Sequence, residues 1–241
     1  MTAKNFVLVH GAWHGGWCWA RVAERLRAAG HRVFTPTMTG LGERAHLLTP
    51  AVGLDTWIAD AAGVIEAEEL SDVVLVGHSF GGNVISGVAD RMAGRLAHLV
   101  YLDALVIEGG RGPLEAFAPD IQAARRKAAE DYSGGLSLPV PDPMVFGGPF
   151  TDADMAWLKR RLTPHPFKTY TDKLMLEHPV GNGVAKTYIV VTDPIYPGLS
   201  GVRERLESQP GWAWREIATG HDAMVSAPAA LSDLLRDIAG A

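Results

Sequence analysis

The run Val73-Val74-Leu75-Val76-Gly77-His78-Ser79-Phe80-Gly81 constrains this chain more than any other part of it. A β-branched apolar stretch passes through a Gly-x-Ser-x-Gly turn into a segment of helical periodicity, residues 82–94. A serine on so sharp a turn takes a positive φ, and the residues two places either side must lack a Cβ so that the backbones can pass. The turn aims the hydroxyl out of the carboxyl edge of a sheet, and the helix N-terminus behind it favours developing negative charge. A five-residue pattern alone arises by chance. Its strand and helix flanks set this one apart.

The rest of the chain repeats that alternation. Short β-like runs at 6–10, 31–35, 73–76 and 96–102 alternate with helical stretches at 17–29, 54–70 and 82–94. A second block supplies a run at 187–192, a helix near 202–208, a run at 213–217 and a last helix near 228–238. This order predicts an α/β fold, a mostly parallel six-stranded sheet with helices on both faces. Continuous apolar runs such as Leu99-Val100-Tyr101-Leu102 fit strands buried on both sides. The rhythm breaks between residues 104 and 186, a proline-rich stretch with two expected helices, near 116–131 and 152–162, and no clear strand. It reads as a helical cap inserted over the carboxyl edge, where open parallel sheets bind ligands. The core is then 1–103 together with 187–241. Thr151 before Asp152-Ala153-Asp154 has the form of an N-cap.

With 241 residues, 47% of them hydrophobic, the chain can bury a full core as one domain. Its 22 basic and 27 acidic residues are well mixed, with no basic stripe for nucleic acid and no polybasic patch for a membrane. No long apolar stretch at the start suggests a signal peptide or a spanning helix. The single cysteine, Cys18, rules out an intrachain disulfide and suits a reducing cytoplasm. Monomer and homodimer both remain open.

Serine is a poor nucleophile at neutral pH and needs a base within hydrogen-bond reach. Of nine histidines, His221 is the best placed: it follows the run ending at Ile217, precedes the final helix, and comes after the serine in chain order. His10 and His14 are four apart, but Gly-Ala-Trp lies between them without the glutamate of His-Glu-x-x-His, so no metal is expected.

Three segments carry a family resemblance: Phe6-Val7-Leu8-Val9-His10-Gly11-Ala12-Trp13-His14-Gly15-Gly16-Trp17-Cys18-Trp19, Gly77-His78-Ser79-Phe80-Gly81-Gly82, and Gly220-His221-Asp222-Ala223-Met224. The chain resembles the α/β-hydrolases, in the small-ester branch that holds plant methyl-salicylate and methyl-jasmonate esterases and hydroxynitrile lyases. The resemblance spans both ends of the chain and is weak in the cap. It implies an ester hydrolase with Ser79 as nucleophile, His221 as base, and the N–H groups of Ala12 and Phe80 as oxyanion hole. A small-molecule ester is the implied substrate, and no cofactor is required.

The acid departs from the family pattern. Its usual place is a few residues past the run at 187–192, where this chain has Asp193-Pro194-Ile195. Asp193 follows that run at once, and the expected positions hold proline and isoleucine. Asp103, at the end of the run after the nucleophile's, resembles the arrangement of haloalkane dehalogenases and pancreatic-type lipases. Asp103 is preferred, with Asp193 the alternative.

Trp13, Phe146 and Trp157 are candidate pocket walls, with Met144, Val145 and Phe167 beside them. Trp13, Trp17 and Trp19 could line an acyl pocket, but aromatics at this spacing more often pack the first helix on the sheet. Asp222 is expected to cap or to form an ion pair, and Arg125-Arg126-Lys127 to be a solvated helix face. Two further functions compete. A hydroxynitrile lyase places a lysine shortly after the histidine, where this chain has Asp222, Ala223 and Met224, and an acidic neighbour repels cyanide. A small-molecule receptor with slow turnover uses the same fold. The dinucleotide fingerprint fails, because Gly77–Gly82 is not Gly-x-Gly-x-x-Gly.

Overall fold

In the computed structural model, which describes residues 3–240, strands and helices alternate as the periodicity requires. The first block is β1 (Asn5–Val9), α1 (Ala20–Ala28), β2 (Arg32–Phe34), α2 (Leu54–Ala67), β3 (Val73–His78), α3 (Gly81–Met92) and β4 (Leu96–Leu102). Next come α4 (Pro119–Ser133), β5 (Ser137–Leu138), α5 (Asp152–Arg161), β6 (His165–Pro166) and α6 (Lys168–Thr171). The chain closes with β7 (Lys186–Val191), α7 (Ser200–Glu207), β8 (Ala213–Ile217), α8 (Ala223–Ser226) and α9 (Pro228–Ile238).

The large sheet has six strands in the order β2-β1-β3-β4-β7-β8, and every pairing is parallel. β3 lies at its centre and is buried at all six positions, which is why its sequence is apolar on both faces. Alternation along the strands divides the core in two. Val7, Val9 and Leu75 face α2 and α3, whereas Phe6, Leu8, Val74 and Val76 face α1 and α9. The strand order doubles back beside β1 and β3, so the loops after both strands open on one crevice.

The stretch between β4 and β7 adds no strand to this sheet. It differs from the expectation in one respect: β5 and β6 pair antiparallel as a two-residue ribbon. Such short segments, one of them containing Pro166, leave no periodicity to read. The helices come close to their expected places. α4 starts at Pro119, which suits the first helical turn, and ends where Gly134 turns left-handed. Thr151 caps α5, its hydroxyl accepting from the Asp154 N–H at 3.1 Å while Asp154 accepts from the Thr151 N–H at 3.0 Å. Among the described residues, no helix is long and apolar enough to cross a membrane.

Candidate active site

Ser79 follows β3 with a φ of 51°, in the left-handed region the sequence requires. The flanking glycines have steric causes. A Cβ on Gly77 would lie 2.7 Å from the Gly81 carbonyl oxygen, and one on Gly81 would lie 2.9 Å from those of Val9 and His10. The turn is pinned to the end of β4: the Ser79 N–H donates to the Leu102 carbonyl at 3.1 Å, and the Ser79 carbonyl accepts from the Leu105 N–H at 2.8 Å. Asp103 follows β4 with a φ of 37°. His221 sits in the loop after β8, where its N–H donates to the Phe146 carbonyl at 3.1 Å.

Asp103 Oδ2 lies 2.6 Å from His221 Nδ1, and both residues are buried. That contact puts the Nδ1 proton between the two and leaves Nε2 as the acceptor. Ser79 and His221 line one cleft at the carboxyl edge. Asp193 is exposed and contributes only its N–H, to the Thr219 carbonyl at 3.2 Å. Two neighbours that the sequence did not announce complete the surroundings. Arg203 on α7, itself buried, donates from Nη1 to the second oxygen of Asp103 at 3.1 Å and from Nη2 to the Tyr196 carbonyl at 2.9 Å. The Tyr196 ring lies flat on the His221 imidazole with centroids 4.0 Å apart, and burial pushes its phenol up to about 12.

Ala12 and Phe80 also line the cleft. Among the described residues neither backbone N–H has a protein acceptor, so both are free for a ligand oxygen. The loop carrying Ala12 is held from the β4–β7 segment through the next residue. The Trp13 N–H donates to His165 Nδ1 at 3.3 Å, its indole N–H to the Pro139 carbonyl at 3.0 Å, and its carbonyl accepts from the Thr163 N–H at 3.0 Å.

The histidines of the motif have distinct jobs. His10 donates from Nδ1 to the Gly11 carbonyl at 2.8 Å and accepts at Nε2 from the Met38 N–H at 3.0 Å, so it is neutral, and burial lowers it to about 3. His14 faces acceptors at both nitrogens, the Ala12 carbonyl at 2.8 Å and Asp222 Oδ2 at 3.1 Å, and is the imidazolium. Burial pulls its pKa down, but Asp222 outweighs that and raises it. Burial conversely pushes Asp222 up, and His14 with its hydrogen bond brings the carboxyl below the usual range. His78 donates from Nε2 to the His221 carbonyl at 3.0 Å, and burial holds it well below its ordinary value. Asp222 therefore forms the ion pair expected of it, with a partner from the far end of the chain.

A pH signature follows. The lowered Asp222 stabilises the fold in full above its ordinary value of 3.8, and this is lost as pH falls through the folded value. The raised His14 stabilises in full below 6.5, and this is lost as pH rises through its folded value. Asp222→Asn should cost about 1.5–3 kcal/mol between those limits, with the difference shrinking on either side. Urea unfolding of both proteins across pH reads this, and a pH-independent difference would refute the ion pair.

The cleft walls correct three expectations. Trp13 and Phe146 line it, but Trp157 does not: it packs edge-on against Trp17 at 5.1 Å, with the Arg21 guanidinium over its ring at 4.9 Å. Met144 and Val145 are exposed, and Phe167 is buried in the core away from the cleft. Arg125, expected on a solvated face, is half-buried and lines the cleft, while Arg126 and Lys127 are exposed. Helical spacing separates Arg125 from its neighbours, but nothing in sequence shows which face of α4 turns inward.

Comparison with known proteins agrees with this architecture. The model of the alpha/beta hydrolase family matches residues 6–234. A carbendazim hydrolyzing esterase of Nocardioides sp. (strain SG-4G) is 44% identical over 96% of this chain and 98% of its own. Methylesterase 9 of Arabidopsis thaliana is 26% identical over 98% of each chain. Among solved structures, an extracellular alpha/beta-hydrolase from a Paenibacillus species superposes with a TM-score of 0.84 at 23% identity, over 97% of this chain and 98% of its own. The tight serine turn, the all-parallel sheet and a family match over nearly the whole length lead to one assignment: the chain belongs to the alpha/beta hydrolase family, in its small-ester branch.

Proposed function

We propose that this hydrolase cleaves small carboxylic esters through Ser79, His221 and Asp103. The observation that carries the reading is the 2.6 Å contact between buried Asp103 and His221, which lines the same cleft as Ser79 at its positive-φ turn. Ser79 Oγ attacks the ester carbonyl while His221 Nε2 takes its proton, and Asp103 stabilises the imidazolium. The N–H groups of Ala12 and Phe80 hold the tetrahedral oxyanion. Collapse expels the alcohol, which takes its proton from His221, and leaves an acyl-Ser79. Water activated by the same imidazole releases the acid. Arg203 fixes the Asp103 carboxylate from behind. The segment 104–186 is the cap on a core of 1–103 and 187–241, and it steadies the oxyanion loop through Trp13. A cytoplasmic location belongs to the same reading and rests on the single, buried Cys18.

Nitrophenyl esters of increasing acyl length, with carbendazim beside them because a 44% identical relative is named for hydrolysing it, test the activity. Failure to turn over any of them would sink the esterase reading. The cleft walls give a sharper expectation. Phe146→Leu should shift the kcat/KM profile toward bulkier acyl groups, whereas Trp157→Leu, outside the cleft, should leave it unchanged. A shift with Trp157→Leu alone would move the specificity wall outward.

A further inference from the structure

Arg125 is the unexplained group of the cleft. Its guanidinium lies over the Phe117 ring at 4.0 Å and near the Tyr170 ring at 4.8 Å, two aromatics that also line the cleft. The rings attract the cation but offer no lone pair to its N–H donors. Nη1 is buried and has no hydrogen-bond partner, and Arg125 forms no ion pair among the described residues. A buried cationic donor left unsatisfied is costly, so the arrangement favours an acceptor arriving with a ligand. No aspartate or glutamate lines the cleft to compete for it. The other cation there, His14, already has Asp222 as partner.

We propose that Arg125 is a specificity residue that binds a carboxylate on the substrate, remote from the scissile bond, so that the preferred substrates are esters carrying a second, ionised carboxyl group. This rests on the esterase reading above. A carboxylate meets a guanidinium edge with short, charge-assisted hydrogen bonds, and the aromatic pair holds that edge in place. Neutral esters of the same shape gain nothing from Arg125 and leave Nη1 unsatisfied.

Two matched substrate pairs test it by kcat/KM. Monomethyl glutarate is compared with the methyl ester in which isopropyl replaces its carboxylate, and acetoxyacetate with isobutyl acetate. The first pair puts the charge on the acyl side and the second on the alcohol side. Wild type should favour the anionic member of at least one pair by on the order of 10- to 100-fold. Arg125→Met, which keeps the apolar stem on Phe117, should abolish that preference, bringing the anionic-to-neutral kcat/KM ratio of the pair to about one. Arg125→Lys should restore part of it, since charge returns without the planar fork. No preference in either pair, or a preference that survives in Arg125→Met, overturns the proposal while leaving the esterase reading standing. If no ester, neutral or anionic, is turned over, the esterase reading fails separately, and calorimetric binding of glutarate decides. Binding by wild type that Arg125→Met loses supports the anchor; equal or absent binding refutes it.

Discussion

Ser79→Ala should lower ester turnover by on the order of a millionfold, the scale seen when a triad nucleophile is removed. The hydroxyl has no protein hydrogen bond among the described residues, so its removal leaves no buried group unpaired. The melting temperature should change little. The positive φ is a property of the backbone, and alanine meets the same strain there as serine. Residual turnover should come from the oxyanion hole and binding alone, and a serine-directed phosphonate should no longer label the protein. Full activity in this variant would end the serine-hydrolase mechanism.

The second large effect concerns the acid. Asp103→Asn should cut kcat by up to about four orders of magnitude, as amide replacement does in other triads. Asparagine keeps the shape but presents an NH2 group to either His221 Nδ1 or Arg203 Nη1, both of which now donate to the carboxylate. The imidazole then loses its tautomer or Arg203 loses its acceptor. The cost should fall on kcat more than KM, because the carboxylate acts as charge develops on His221. Asp193→Asn should stay within about twofold, since its exposed side chain holds nothing near the cleft. The reverse ranking in side-by-side kinetics would transfer the acid's role to Asp193.

Local patterns carried most of the fold. β3 announced itself through unbroken apolar residues, the serine turn through Gly77 and Gly81, and α5 through Thr151 and the acids that follow it. Each is legible because its cause lies within a few residues: a strand buried on both faces, a backbone crossing, a hydroxyl beside a free N–H. The β5–β6 ribbon was not legible, because two residues make no period.

The cleft was legible in proportion to how local its parts are. Ser79 and His221 were singled out by turns in their own segments. Asp103 and Asp193 each follow a strand of the sheet and look alike in sequence. Only the order β3-β4-β7-β8 carries one to the buried imidazole and leaves the other in solvent. Arg203 reaches Asp103 across 100 positions and His14 reaches Asp222 across 208, and no local pattern encodes pairs so distant. Arg125 and Trp157 exchanged their expected places for the same reason, since a helix face is outer or inner only with respect to what packs against it. The sequence by itself determined an alternating α/β chain with a serine on a strained turn and a histidine near its end. Tertiary structure alone decided which carboxylate, which arginine and which aromatic rings meet them, because burial and hydrogen bonding between distant segments exist only once the sheet has set its strand order.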